Sequence, residues 1–256
     1  MNNDFSNLFL RNKIFIKEEV QELLKKTKVS LLGCGVASQI AILAARTGVL
    51  NFFIADGDKV ELSNLNRQSF YLSSLNINKA VEIKKYISQI NKFANVEILS
   101  RNITEDDITN IVQSSGFVIS TVDVGPIYYS IVDKIKLNKK VGIFPMNVGF
   151  GSLIFVMTED SGNFDDIFGS SLPMNDFDFY KHLFPIIKNR LPQYLTDLGE
   201  KFFKKNNSKK PFPQIGIANY LTASMVMTII INVLEGKNVP KIPEPIFLDI
   251  KNLLNK

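Results

Sequence analysis

Val29-Ser30-Leu31-Leu32-Gly33-Cys34-Gly35-Val36-Ala37-Ser38 is followed by Phe52-Phe53-Ile54-Ala55-Asp56-Gly57-Asp58, and a few residues later by Ser63-Asn64-Leu65-Asn66-Arg67-Gln68. The first stretch is an apolar strand running into a glycine turn, and the second is an apolar strand that stops at an acid. Strand, turn, helix and strand at this spacing make a nucleotide-binding βαβ unit. Gly33 and Gly35 stand where the backbone must turn tightly and approach phosphate, at a helix N-terminus that favours negative charge. Asp56 stands where an acid accepts hydrogen bonds from ribose hydroxyls. Cys34, inside the turn, reads as a small buried residue rather than a nucleophile. A nicotinamide or flavin site needs nothing further. Here Asp58, Ser63, Asn64, Arg67 and Gln68 add a second carboxylate, several polar groups and a planar, permanently charged fork suited to phosphate oxygens. That set suits a nucleotide carrying a reactive triphosphate.

Outward from this unit the pattern alternates. Residues 17–26 interleave charges with Val20, Leu23 and Leu24, as an amphipathic helix does. A strand at 28–32 and a helix at 38–47 flank the glycine turn, with Gly48 placed to stop the helix. Strand 50–55, helix 79–91, strand 96–99, helix 105–114 and strand 117–120 follow. Further strands at 141–144 and 152–157 are separated by Asn147-Val148-Gly149-Phe150-Gly151. This rhythm predicts an α/β fold with a Rossmann-like, mostly parallel sheet flanked by helices. From 158 to 214 glycine, serine, asparagine and proline punctuate aromatic residues, and 204–210 is polar and basic like a loop. We read 158–214 as a lid inserted over the site. Residues 215–236 read as an apolar closing helix, before a proline-marked tail that ends in a strand or short helix. One domain results: N-terminal arm and helix (1–27), nucleotide-binding core (28–157), lid (158–214), and C-terminal helix and tail (215–256).

The 256 residues are 45% hydrophobic, enough for a sizeable core. The net charge of +5 is scattered among acids rather than gathered in a stripe, which argues against a nucleic-acid partner. Residues 1–4 lack the basic start of a signal peptide, and the apolar stretch 220–234 reads as a buried helix too short to span a membrane. We therefore expect a cytoplasmic protein with no membrane partner. A single cysteine and a single histidine, Cys34 and His182, make neither an internal disulfide nor a cysteine-rich zinc site. Nucleophilic catalysis through His182 would need Cys34 or a serine beside it; within Phe179-Tyr180-Lys181-His182-Leu183-Phe184 it reads as a helix-surface residue.

The glycine turn, Asp56, Asp58 and the run 63–68 together resemble the ThiF–MoeB-type adenylyltransferase superfamily. Its members are the ubiquitin-activating enzymes and their bacterial molybdopterin-synthase, thiamine-biosynthesis and microcin-type relatives. The resemblance covers 10–156 well and 215–236 more loosely. It implies that Gly33, Gly35, Asp56, Asp58, Ser63, Asn64, Arg67 and Gln68 bind ATP. Lys79 takes the place of a family lysine that contacts the phosphates; a lysine at a helix start opposes the helix dipole unless an anion lies alongside. Asp123, in Val122-Asp123-Val124, matches the family acid at the end of a strand, where a carboxylate can hold magnesium. Arg11, in Phe9-Leu10-Arg11-Asn12-Lys13-Ile14, resembles the arginine that family dimers reach into the partner's ATP site, with Lys13 as the alternative. Catalysis would then rest on Arg67, Lys79, Asp123 and Arg11, through positioning and charge neutralisation. Two departures stand out: the glycine pattern is one residue shorter than the family's Gly-x-Gly-Gly-x-Gly, with Ala37 or Ser38 at the last glycine, and no asparagine follows Asp123.

The reaction so implied is adenylation, in which a carboxylate attacks the α-phosphorus of ATP to give an acyl-adenylate and pyrophosphate. The resemblance implies a homodimer using ATP and Mg2+, without zinc, on the C-terminus of a ubiquitin-like sulfur carrier or a small ribosomal peptide. It implies no thioester on the chain's own cysteine. Two readings share the glycine turn. An NAD-dependent oxidoreductase would leave Arg67, Lys79 and Asp123 unexplained, whereas a non-catalytic scaffold subunit is encouraged by the two departures. A tRNA-modifying relative of similar length would want a basic stripe that this sequence lacks.

Overall fold

The apolar runs and helix signals resolve into one sheet covered on both faces. The computed structural model describes residues 2–204 and 212–254. It begins with α1 (Asn2–Leu8), α2 (Glu18–Lys26), β1 (Lys28–Leu32), α3 (Ala37–Thr47) and β2 (Asn51–Ala55). Then come α4 (Lys79–Ile90), β3 (Asn95–Leu99), α5 (Glu105–Ser114), β4 (Phe117–Ser120) and α6 (Pro126–Leu137). The hairpin β5 (Val141–Val148) and β6 (Gly151–Met157) precedes α7 (Asp165–Phe168), α8 (Asp176–Ile187) and α9 (Gln193–Lys204). The last elements are α10 (Gly216–Leu234), β7 (Ile246–Asp249) and α11 (Ile250–Leu254).

The strand order is β3-β2-β1-β4-β5-β6-β7. The first five strands in that order are parallel, with Leu32 of β1 opposite Ala55 on one side and Ser120 on the other. The last two are antiparallel. Alternation along the strands divides the core. Val29, Leu31, Ile143, Ile154 and Val156 pack with Ile40, Ile83, Val226 and Ile230 of α3, α4 and α10. Leu32, Phe144, Leu153 and Phe155 pack on the other face with Ile108, Tyr128, Ile131 and Phe179 of α5, α6 and α8. This is the expected mostly parallel sheet between helical layers.

Local signals explain several boundaries. Gly48 takes φ +111° and its N–H closes on Ala44 O, so α3 stops where the sequence places a glycine. Thr104 and Asp107 form a capping box at the start of α5, where three acids complement the helix dipole.

Four features differ from the sequence reading. β5 continues through Pro145 to Val148, so only Gly149 and Phe150 separate it from β6, with Val148 opposite Gly151. Gly149 takes φ +60°, and a Cβ there would lie 2.8 Å from the Tyr194 hydroxyl of α9. Helix α6 was not placed by the sequence reading, although Pro126 at its first position and the spacing of Tyr128, Ile131, Val132 and Ile135 mark it. The stretch 158–204, in which the sequence reading bounded no element, holds α7, α8 and α9, and the loop expected at 204–210 lies, after Lys204, outside the described residues. Finally, α10 is 19 residues, long and apolar enough by length and composition to cross a membrane, not too short as its apolar stretch suggested. It nevertheless packs against α3 and the β5–β6 hairpin, burying Asn219, Thr222, Ala223, Val226 and Ile230.

Candidate nucleotide site

The chain leaves β1 toward β2 and β3, then returns on the other side as β4. Such a reversal opens a crevice outside the carboxyl ends of the strands, where open α/β sheets bind ligands. The crevice here is a cavity of about 520 Å³ lined by Gly33, Cys34, Gly35, Asp56, Asp58, Arg67, Gln68, Lys79, Asn102, Thr121, Asp123 and Gln214, among others. Its floor requires glycine: Gly33 has φ +84°, and a Cβ there would lie 2.8 Å from Thr121 Oγ1 and 2.9 Å from the Thr121 backbone. Thr121 Oγ1 in turn donates to Gly33 O at 3.1 Å, tying the β1 turn to the end of β4.

Asp56 is the hub of the turn. Its two oxygens accept the Cys34 N–H at 2.6 Å and the Asp58 N–H at 2.7 Å. Burial pushes its carboxyl above the usual range, while these backbone donors and Lys79 pull the other way. Lys79 Nζ, nearly buried, sits 2.9 Å from the more exposed Asp58 carboxylate. The Cys34 side chain is fully buried, and burial pushes its thiol well above its normal value, away from the reactive thiolate.

Arg67 is placed by the short turn that precedes it. Asn64 Oδ1 accepts the Glu61 N–H at 3.0 Å, and Asn64 O accepts the N–H groups of Arg67 and Gln68. Arg67 Nη1 donates to Ser63 O at 2.7 Å and to Asn66 Oδ1 at 2.9 Å, and Nε donates to Gln214 Oε1 at 2.8 Å. Asn219 of α10 holds the Arg67 carbonyl at 2.6 Å. Gln68 lines the same cavity, and its Oε1 is buried with no hydrogen-bond partner among the described residues. A buried acceptor left unpaired calls for a donor from a ligand or water.

Beyond Asp123 lies a smaller cavity of about 100 Å³, reaching Ser120, Tyr128, Asn147, Asp176 and Tyr180. Asp176, in the first turn of α8, accepts the Val124 N–H at 2.9 Å. Burial, and after it the Asp123 carboxylate, raise its pKa against that hydrogen bond. A third cavity of about 310 Å³, walled by apolar side chains of α8 and α9, begins at Asn147 and Tyr180.

The structure thus gathers Gly33, Gly35, Asp56, Asp58, Arg67, Gln68, Lys79 and Asp123 around one cavity. Ser63 and Asn64 are not on its lining; they support Arg67 from behind. Arg11 is exposed in a single 3-10 turn and is not part of the lining either. His182 is exposed on α8. Sequence reasoning did not find Thr121, Asn102, Gln214 and Asp176. Only Thr121 carried a usable signal, by its place directly after a buried strand.

A parallel sheet with a glycine turn and acids at its switch point is the architecture of the doubly wound α/β class. The chain belongs to the ThiF family, which matches residues 9–254. Over 164 residues it is 33% identical to the probable molybdopterin-synthase adenylyltransferase of Gracilaria tenuistipitata var. liui, covering 62% of this chain and 46% of that protein. Over 100 residues it is 37% identical to the tRNA threonylcarbamoyladenosine dehydratase of Bacillus subtilis (strain 168), covering 38% and 39%. The chain therefore spans less than half the length of these relatives. Among solved structures, E. coli MccB with succinimide superposes with a TM-score of 0.71 at 18% identity, over 96% of this chain and 69% of MccB. PaaA superposes with a TM-score of 0.66 at 19% identity, over 98% and 69%. At these identities the structural likeness speaks for the fold alone.

Proposed function

We propose that this chain is an ATP-dependent adenylyltransferase that activates the C-terminal carboxylate of a ubiquitin-like sulfur carrier or a small ribosomal peptide as an acyl-adenylate. The observation that carries the reading is the convergence of Arg67, Lys79 and Asp123 on the glycine turn within one cavity. Family membership and the adenylyltransferase names among the relatives support the reaction class. E. coli MccB, which shares the fold, has been solved with ATP and with MccA.

The substrate carboxylate oxygen attacks the α-phosphorus. A new oxygen–phosphorus bond forms, the bond to the bridging oxygen breaks, and its electron pair leaves with pyrophosphate. No proton moves, so no general base is needed. The backbone at Gly35 and the N-terminus of α3 receive phosphate oxygens, and Arg67 and Lys79 offset the negative charge. Asp123, at the end of β4, is the donor that would hold a magnesium ion when phosphate oxygens supply the other ligands. That ion would neutralise charge on the departing pyrophosphate. The adenylate is not passed to Cys34, whose thiol is buried and protonated. Arg11 acts only if a second copy brings it to the cavity, so the working form is a homodimer.

Calorimetry with ATP and magnesium against NAD, followed by ATP–pyrophosphate exchange with carboxylate substrates, tests the reading. ATP binding and substrate-dependent exchange are expected. Tight NAD binding without ATP binding would make the chain an oxidoreductase, and ATP binding with no exchange would make it a scaffold subunit.

A further inference from the structure

The three cavities adjoin one another in a row. The nucleotide cavity and the small cavity share Thr121, Asp123 and Gln214, while the small cavity and the apolar one share Asn147 and Tyr180. Two residues that line the middle section, Ser120 at the end of β4 and Tyr128 on α6, carry buried hydroxyls with no hydrogen-bond partner among the described residues. Both residues are only 2% exposed. Buried hydroxyls left unpaired are costly unless a ligand or water completes them. The section behind them is walled by side chains such as Leu183, Phe184, Leu195, Leu198 and Phe203. An apolar cavity of about 150 Å³ is enough to take benzene, so 310 Å³ has room for one or two ring-sized side chains. Leu198, 57% exposed, stands at its open side, where a longer chain can continue outward.

We propose that this row of cavities holds the acyl-substrate site, and that it selects a peptide end with bulky apolar side chains beside its terminal carboxylate. The carboxylate-bearing residue lies in the small section, where the Ser120 and Tyr128 hydroxyls donate to it and Asp123 marks the phosphate side. The apolar side chains fill the section between α8 and α9. The attack is the one given above, with the same bond made and the same bond broken. This inference rests on the adenylation reading for its chemistry, but the site itself is testable by binding.

The test titrates labelled heptapeptides into the full chain by fluorescence anisotropy, with and without ATP and magnesium. The peptides end in leucine-phenylalanine, glycine-glycine or aspartate-aspartate, each as free acid and as amide, with 3-phenylpropionate as a small-acid competitor. The leucine-phenylalanine acid is expected to bind roughly ten- to a hundredfold tighter than the glycine-glycine acid, the range of one or two apolar groups in a pocket. Leu198→Asp, at an exposed wall position, should erase that advantage and leave ATP binding unchanged. Tyr128→Phe with Ser120→Ala should weaken the free acid more than the amide. Equal or better binding of the glycine or aspartate ends overturns the assignment, as does an advantage that survives Leu198→Asp. Competition by 3-phenylpropionate at peptide-like affinity overturns the peptide class. Pyrophosphate exchange with the same peptides separates the two readings. Selective binding without exchange sinks adenylation and keeps the site, whereas exchange driven equally by glycine ends keeps adenylation and sinks the site.

Discussion

Around the glycine turn, backbone groups are held by polar contacts of fixed direction; between 158 and 204, the chain is held by rings. Asp56 fixes the N–H groups of Cys34 and Asp58, Thr121 fixes Gly33, and Asn78 Nδ2 donates to Asp56 O at 2.9 Å. In the other region Phe164 lies with its ring centroid between 5.4 and 6.3 Å from those of Tyr128, Phe144, Phe155, Phe168 and Phe179. Hydrogen bonds lose strength steeply when their geometry changes, whereas apolar packing is non-directional and tolerates rearrangement at similar volume. The first kind of scaffold suits a ligand whose atoms must stand in one place. The second suits a surface whose shape varies with what it accepts.

The sharpest way to break this contrast is Phe164→Ala. Removing a fully buried ring at the centre of the aromatic cluster should cost about 3–5 kcal/mol of stability, measured by denaturant unfolding. A loss below about 1 kcal/mol would mean that the rings do not anchor this region. Arg67→Ala and Asp123→Ala should behave in the opposite way, lowering pyrophosphate exchange about a hundredfold or more with little change in unfolding. If either variant unfolds the chain instead, the polar region is structural rather than chemical. Cys34→Ala should sharpen the same division from inside the turn. Exchange should stay within about twofold, with about 1 kcal/mol of stability lost as the small side chain is trimmed. Exchange lost there and nowhere else would point to a thiol mechanism.

The smallest effect is expected where the two regions meet. Burial first, and the Asp123 carboxylate after it, raise the Asp176 pKa in the fold. A raised carboxyl contributes stability that is present below its unfolded pKa and lost as pH rises through its folded one. At neutral pH Asp176 is therefore a small burden. Asp176→Asn keeps an oxygen for the Val124 N–H, and should raise the melting temperature by on the order of one or two degrees at pH 7. The gain should vanish near pH 4, around the ordinary carboxyl range. Differential scanning calorimetry across that range decides it; a fall at pH 7 would mean that the charge supports the fold.

Where local signals agree, the sequence was readable. β1, α5 and β4 stand at the boundaries expected from apolar runs, caps and turns; Gly33, Asp56, Lys79 and Asp123 come together because each lies at or just past a strand end or at a helix start, and Arg67 joins them from the turn after Asn64, within the motif run 63–68. What stayed hidden depends on distance or on mixed signals. Gln214 meets Arg67 across 147 residues and Asp176 meets Val124 across 52, separations that no local pattern encodes. Helix α8 contains Pro185 and α9 contains Gly199, residues that read as breakers and drew attention away from the helical period of both. Pro145 made β5 look shorter than it is, although a neighbouring antiparallel strand carries it through.

The tight turn at Gly149 also has a consequence in time. It joins strands separated by two residues, so closing it costs little chain entropy, while each parallel pair must wait for a long crossover. A hairpin of this kind forms on the order of 1–10 μs. Helix α9 rests on the turn through Tyr194 and Leu195 and on α8 through Gly199 and Phe203 against Phe184, so its seat is complete only once the hairpin exists. A chain delayed at that stage would carry Tyr194 and Leu195 without their contacts at the turn, and apolar surface exposed in this way drives aggregation during synthesis. Soluble yield on expression should therefore be more sensitive to Gly149 than its distance from the nucleotide cavity would suggest.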